Sequence, residues 1–207
     1  MDEKREISPI PRFELSGGAL CLDFANTWED RSRQETDKLG GYPALVAFVM
    51  QAGCLDRGDA SDLIEAGAMI GAARSEAVWK EALELREAVY RIFSATAGRR
   101  EFAAAELDRL NAALAIARAG QQLQQDEGQF RWTRASTELA SPLWPIALSA
   151  AELLTSDDLE RIRECNANSC NWLFLDRSRN RSRRWCSMDS CGNRAKARRH
   201  YKRCKNQ

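Results

Sequence analysis

Residues 165–191 read CNANSCNWLFLDRSRNRSRRWCSMDSC and contain two cysteine pairs with the same internal spacing. Four residues separate Cys165 from Cys170, four separate Cys186 from Cys191, and 15 residues lie between the pairs. Two equal pairs joined by an insert of hairpin length are typical of structural zinc sites, whose four thiolates leave no position for water. The spacing therefore predicts one structural Zn²⁺ on these four cysteines, in a small module that needs its metal to fold.

The insert between the pairs predicts the rest of the module. Trp172 and Phe174 lie on one phase of an alternating segment, a polar turn follows at Ser178–Asn180, and a returning strand would end at Trp185. The three aromatic side chains would form a small core. A helix that starts at Cys191 would complete a treble-clef-like zinc finger, made of a β-hairpin and a basic helix.

The charge of the chain is unevenly distributed. The formal net charge is +1, yet residues 161–207 hold 14 Lys and Arg against 3 Asp and Glu, which leaves the first 160 residues at −10. This asymmetry favours a nucleic-acid-binding module on an acidic body, and the alternative is a solvated basic tail. The predicted nucleic-acid contacts are Arg177, Arg179, Arg181, Arg183 and Arg184 on the hairpin, and Asn193, Arg194, Lys196, Arg198, Arg199, Lys202 and Arg203 on the helix.

Some residues of the predicted helix have more than one interpretation. Asn193 and Arg194 come at its start, where side chains commonly face the major groove, and a guanidinium can bind guanine through two hydrogen bonds. Asn193 could equally cap the helix without touching a base. Cys204 and His200, in the basic tail, are the alternative metal ligands.

The finger segment from Cys165 to Arg203 resembles the CGNR zinc-finger domain almost throughout, including the signature Cys191–Arg194 and the stretches FLDRSRN and RRWCSM. Upstream, GGALCLDFANTW and LREAVYRIF resemble the ABATE domain that usually precedes it, a family described as stress-induced transcription regulators. The resemblance implies a bacterial-type regulator with a DNA-binding zinc finger. The metal positions that match the family are the same four cysteines.

The N-terminal part is predicted to be mainly helical with a small β-hairpin element. Val78, Ala82, Leu85, Val89 and Ile92 recur at helical steps over residues 75–97, and a second helix follows at 101–118. Residues 121–134 alternate around an Asp-Glu-Gly loop and predict the hairpin. A helix at 142–154 is then followed by a capping box, Thr155 to Asp158, that would open a short helix leading to Cys165. We expect two domains, a sensor or scaffold domain at 1–158 and the zinc finger at 159–207.

Four residues of the N-terminal domain are candidate ligand contacts: Asp23, Asn26, Thr27 and Arg86. A buried Arg86 paired with Asp23 could bind an anionic ligand. Alternatively, Asn26 and Thr27 cap a helix while Arg86 extends to solvent. No catalytic residues are predicted, because the only histidine lies in the basic tail and the chain has neither a phosphate-binding loop nor a dinucleotide motif.

The leading interpretation is a DNA-binding transcriptional regulator that contacts duplex DNA and acts in the cytoplasm at the nucleoid. It would have no membrane segment and could form a homodimer. RNA binding, protein interaction through the finger, and an enzymatic N-terminal domain acting on a small molecule remain as alternatives.

Overall fold

The computed structural model describes residues 11–126, 128–134, 138–167 and 170–205, apart from the side chains of residues 126, 131, 133, 134, 199, 200, 202 and 203. The helices are α1 (Leu20–Ala25), α2 (Tyr42–Gln51), α3 (Arg57–Ile70), α4 (Ala72–Ala97), α5 (Ala104–Ala119), α6 (Leu143–Leu154) and α7 (Asn193–Lys205). Two antiparallel pairs join β1 (Gln121–Asp126) to β2 (Gln129–Arg134) and β3 (Ile162–Glu164) to β4 (Leu173–Leu175). The predicted fold class is confirmed. Within the described ranges, no helix is long and apolar enough to cross a membrane.

Helix α4 is the centre of the N-terminal body. The residues of its predicted apolar stripe are at most 2% exposed: Val78, Ala82, Leu85, Val89 and Ile92. Because these positions recur at steps of three and four residues, they form one face of the helix. Helices α1, α2, α3 and α5 pack on α4, and α6 packs on α1 and α5.

A tight turn at Gly18 places α1 beside β4. Its φ of +84° lies in the left-handed region that favours glycine, and a Cβ there would lie 3.3 Å from Cβ of Leu175. Leu175 N donates to the Gly17 carbonyl at 2.8 Å. The apolar segment after this turn is the short helix α1, whose residues Cys21–Ala25 are buried.

The β1–β2 hairpin matches the prediction, with Leu123 opposite Trp132 and Gln125 opposite Phe130. Residue 127 of its loop lies outside the described residues. Leu123, Phe130 and Trp132 share one face and are 59%, 67% and 68% exposed. This face therefore lies outside the hydrophobic core.

The segment that leads to Cys165 differs from the prediction of a capping box at Thr155 and Asp158 followed by a helix. A short 3₁₀ turn spans Asp157–Arg161, and strand β3 follows. Thr155 Oγ1 donates to a carbonyl of α6 at 2.9 Å instead of capping the next segment. Pairing with β4 buries Ile162 to 1% exposure, and this tertiary contact outweighs local helix propensity.

The finger hairpin also pairs differently from the prediction. Strand β4 pairs with β3, which precedes the first cysteine pair, and the described residues between Leu175 and Trp185 contain no returning strand. Asp176 is fully buried and organises this loop, because its carboxylate accepts hydrogen bonds from Ser178 N at 3.0 Å, Ser178 Oγ at 2.5 Å and Arg183 N at 2.9 Å. The first cysteine pair thus lies in the loop of a β3–β4 hairpin.

Strand β4 contributes to two hydrophobic cores. Leu173 and Leu175 belong to the core of the helical body together with Ile162, whereas Phe174 packs with the four cysteines of the finger. Successive strand residues point to opposite faces, so three consecutive residues serve both cores.

The Asn26 side chain ties this strand to the end of α1. Its Nδ2 donates to the Leu173 carbonyl at 2.8 Å, and its Oδ1 accepts from Leu173 N at 2.9 Å. The amide is 3% exposed and takes the place of a neighbouring strand. The two predicted domains, 1–158 and 159–207, therefore pack on each other through buried groups.

Candidate metal centre and nucleic-acid interface

The four cysteines of the two pairs form one buried cluster. Cys165 follows β3 and Cys170 precedes β4. Cys186 comes just before the π-helical turn Met188–Gly192, and Cys191 lies in this turn, which leads into α7. Their sulfur atoms all lie within 4.8 Å of one another. Each residue is at most 6% exposed, so the cluster is shielded from solvent.

The spacing of these sulfur atoms fits a tetrahedral zinc ion. Zn–S bonds of about 2.3 Å place the corners of the tetrahedron about 3.8 Å apart. The Sγ atoms of Cys170 and Cys186 are 3.8 Å apart, and those of Cys186 and Cys191 are 3.7 Å apart. A disulfide would require about 2 Å, and all four cysteines are free thiols. The finger therefore has a single structural zinc site, as predicted.

The thiols lie too close together to ionise independently. Cys165 accepts hydrogen bonds from the Cys170 and Cys186 thiols, and these bonds lower the pKa of Cys165. Donating the same bonds raises the pKa of Cys170 and of Cys186. The first thiolate therefore suppresses ionisation of the next. A bound Zn²⁺ supplies the positive charge that allows all four to be thiolates.

Arg194 is bonded directly to this centre. Its Nη2 donates to Cys191 Sγ at 3.0 Å, and this hydrogen bond, with the charge of the thiolate, raises the pKa of the guanidinium. Zinc with four thiolates carries a net charge of −2, part of which Arg194 offsets. The residue predicted to read bases thus also contacts a metal ligand.

Arg183 holds the finger together from within. Its guanidinium lies 4.7 Å from the Phe174 ring centre, its Nε donates to the Trp185 carbonyl at 3.0 Å, and its Nη2 donates to the Cys186 carbonyl. Trp172 and Phe174 are buried and Trp185 is half-buried, so they form the predicted small core. The Arg183 head group therefore faces the finger's own backbone.

Most of the other predicted nucleic-acid contacts with described side chains are exposed: Arg177, Arg179, Arg181, Arg184, Asn193, Lys196 and Arg198. The side chains of Arg199, Lys202 and Arg203 lie outside the described part of the chain. Lys196 and Arg198 lie on α7, and Arg179 and Arg184 lie on the loop before the second cysteine pair. These four residues are called the exposed basic surface below; Arg177 and Arg181 are also exposed but lie near carboxylates.

Three predicted contacts also bond within the protein. Guanidinium nitrogens of Arg177 and Arg181 lie 3.8 Å and 3.9 Å from carboxylates of the 3₁₀ turn. Asn193 Nδ2 donates to the Asp189 carbonyl at 3.3 Å, so the amide bonds back to the preceding turn. The basic loop therefore lies next to an acidic segment of the body.

The candidate ligand residues form internal bonds. Arg86 is 2% exposed and does not extend to solvent; its Nη1 and Nη2 donate to the carboxylate of Asp37 at 2.6 Å and 2.7 Å. Arg86 therefore pairs with Asp37 rather than with Asp23. Thr27 Oγ1 accepts a further bond from Arg86 at 3.2 Å, whereas Asp23 accepts from Gly17 N at 2.7 Å. Burial raises the pKa of Asp23 to about 6.

Sequence reasoning missed the network around Arg86. The Arg31 guanidinium lies 3.6 Å from the Tyr90 ring centre and pairs with Glu87, which also lies 3.2 Å from Arg86 Nε. The Trp28 ring lies 5.2 Å and 5.3 Å from the two guanidinium carbons. The sequence contained one signal, because Arg86 and Tyr90 are four residues apart on one face of α4.

A cavity of about 360 Å³ lies between the helical body and the metal centre. Its lining includes Glu14, Glu29 and Asp30 from the body, and Cys170, Cys191 and Arg194 from the finger. Arg33 also lines the cavity, so three carboxylates and two guanidinium groups face this space and its lining is acidic on balance.

The fold and the site define a mainly helical protein with a four-cysteine zinc finger. The profile of the ABATE family, described as "Putative stress-induced transcription regulator", matches residues 18–157, and that of the CGNR zinc finger matches residues 161–204. The chain belongs to the ABATE family and carries a CGNR zinc finger. No curated protein matches it. Because both families are of regulator and zinc-finger type, this is a regulatory zinc-finger protein.

Proposed function

We propose that this protein is a transcriptional regulator that binds duplex DNA at the bacterial nucleoid. The observation that carries the proposal is that a buried four-cysteine zinc site fixes the start of a helix with exposed basic residues. The zinc ligand Cys191 lies in the turn that leads directly into α7, and Lys196 and Arg198 are exposed on that helix. A metal-anchored helix presents its charges in a fixed geometry, which groove recognition requires.

Phosphate contacts would come from the exposed basic surface. Arg179 and Arg184 on the loop and Lys196 and Arg198 on α7 belong to the same module, so one duplex can contact both elements. Arg194 can keep its bond to Cys191 and still reach a base, because a guanidinium has five N–H donors.

The helical body would serve as the sensor or as the dimerisation domain. The cavity between body and finger supports a sensing role, because a molecule bound there would contact Arg194 directly. Asp23, Asn26, Thr27 and Arg86, all within the described residues, do not line it. Through Arg194, occupancy of this cavity would alter the start of the DNA-facing helix.

The test is selection of binding sites from a randomised duplex pool by the zinc-loaded protein, repeated after chelation. We expect one enriched motif that is lost without zinc. On that motif, Lys196→Ala with Arg198→Ala should weaken binding and reduce the log–log salt slope by about 2, since each lost phosphate contact removes about 1. Arg74→Ala, an exposed arginine of the helical body, is the matched control.

The proposal is wrong if no motif is enriched and the double variant binds duplexes as the control does. Parallel titration with single-stranded RNA distinguishes the main alternative, for which Tyr201 (69% exposed on α7) would provide a stacking surface. Preference for the RNA, lost in Tyr201→Ala, would assign the finger to RNA instead.

A further inference from the structure

The β1–β2 hairpin presents an exposed apolar face. Leu123, Phe130 and Trp132 are each more than half exposed on this face, defined here as the hairpin face. A two-stranded hairpin has little stability of its own in water, and a contiguous apolar patch of this kind marks an interaction surface.

An open apolar groove lies elsewhere on the same chain, between α4, α5 and α6. Its volume is about 470 Å³, and its apolar lining includes Leu85, Ala112, Ala113, Ile116, Leu143 and Trp144. Ile116 is 51% exposed, so this α4–α5–α6 groove is incompletely filled by its own chain. The hairpin face remains exposed while the groove is open, so the two surfaces do not meet within one copy.

We propose that the hairpin face of one chain packs in the α4–α5–α6 groove of a second copy, and that the exchange is reciprocal. Each chain supplies one projecting surface and one receiving surface, so a two-fold axis satisfies both and leaves neither exposed. A partner that covered only one of the two surfaces would leave the other exposed. This dimer specifies the assembly that the proposed function leaves open.

The area available matches what a stable dimer needs. A fully buried aromatic side chain removes about 150–250 Å² from solvent. The three side chains of the hairpin face, Leu123, Phe130 and Trp132, are already about one-third covered within their own chain. Two hairpin faces packed in two grooves bury roughly 1,500 Å² in total when the area lost by both chains is counted. Stable interfaces bury about 1,600 Å².

The test is the mass of the full-length, zinc-loaded protein by sedimentation at micromolar concentrations. Wild type should sediment at twice the chain mass of 23.3 kDa. Trp132→Lys disrupts the hairpin face, and Ile116→Lys blocks the α4–α5–α6 groove. Each variant should dimerise at least about 100-fold more weakly, because each dimer loses two central contacts. Met69→Lys, at an 87% exposed apolar position of α3, is the matched control and should stay dimeric.

Mixing the two variants tests the reciprocal geometry. The Trp132→Lys chain keeps a native groove, and the Ile116→Lys chain keeps a native hairpin face. The mixture should therefore form heterodimers, although each variant alone stays monomeric. A monomeric wild type would overturn the proposal. So would a dimeric Ile116→Lys protein, which would mean that hairpins pack on each other. A circular dichroism spectrum equal to that of wild type, together with one zinc per chain, shows that each variant is folded. Mass is measured without DNA, so this proposal and DNA binding can fail separately.

Discussion

Replacing Asn26 with alanine should destabilise the finger and the helical body together. The Asn26 amide is 3% exposed and bonds both backbone groups of Leu173. Alanine would leave a buried N–H and a buried C=O without partners, at a cost of about 1–3 kcal/mol each. We expect the free energy of unfolding to fall by about 4 kcal/mol, a large part of the roughly 5–15 kcal/mol typical of a domain.

The same substitution should accelerate the loss of zinc. Leu173 is separated by only two residues from the ligand Cys170, so detachment of β4 would disturb the first cysteine pair. If zinc leaves through this opened state, about 4 kcal/mol raises its release rate by up to about 1,000-fold, at about 1.4 kcal/mol per factor of ten. Urea unfolding followed by tryptophan fluorescence, and zinc transfer to a coloured chelator, measure the two effects.

Two further variants make this measurement decisive. Asn111→Ala, at an exposed position of α5, should change stability by less than about 0.5 kcal/mol. Asn26→Asp keeps an acceptor for Leu173 N but places a buried carboxylate oxygen against the Leu173 carbonyl, so at neutral pH it should destabilise the protein at least as much as Asn26→Ala. A loss below about 1 kcal/mol for Asn26→Ala, or a finger that unfolds while the body stays intact, would refute the coupling through β4.

Three other predictions concern charged side chains. Arg86→Ala should lower the free energy of unfolding in urea by about 3 kcal/mol, because it leaves Asp37 unpaired. Arg86→Lys should not restore this loss, because an ammonium cannot bind both carboxylate oxygens in the same way. Full rescue by lysine would contradict this reasoning. Burial raises the pKa of Asp23 to about 6, above its unfolded value near 3.9, so its contribution to stability is lost as pH rises through about 6. Between about pH 7 and 5.5 wild type should gain about 1 kcal/mol relative to Asp23→Asn, and parallel pH profiles would disprove this. Arg194→Gln should lower zinc affinity about 10–100-fold in chelator competition, whereas Lys196→Gln should not; equal affinities would mean that the bond to Cys191 does not tune the metal.

The metal site could be predicted from the sequence because ligand type and spacing are themselves the chemistry of the site. Helix α4 could be predicted for a similar reason, since its apolar stripe is a local pattern. Strand β3 could not be predicted, because three residues are too few to show an alternating apolar pattern and their conformation depends on pairing with residues 173–175.

The polar contacts of the interior were the least accessible. Asn26 and Leu173 are 147 residues apart, and Arg86 and Asp37 are 49 apart, so no local pattern joins them. Asp37 stands in a polar stretch with nothing to distinguish it from its neighbours. Burial of Arg86 was one sequence-based interpretation, but its partner could be found only once the loop was placed against α4.

Strand β4 also limits how this sequence can change in length. Inserting or deleting one residue between Cys170 and Leu173 would turn every following side chain of the strand to the opposite face. Leu173 and Leu175 would then point towards the metal, and Phe174 would enter the helical body. Substitutions can be absorbed by one core at a time, but a change of length would disrupt both at once. A finger of this kind can therefore be transplanted only together with a surface that receives its strand.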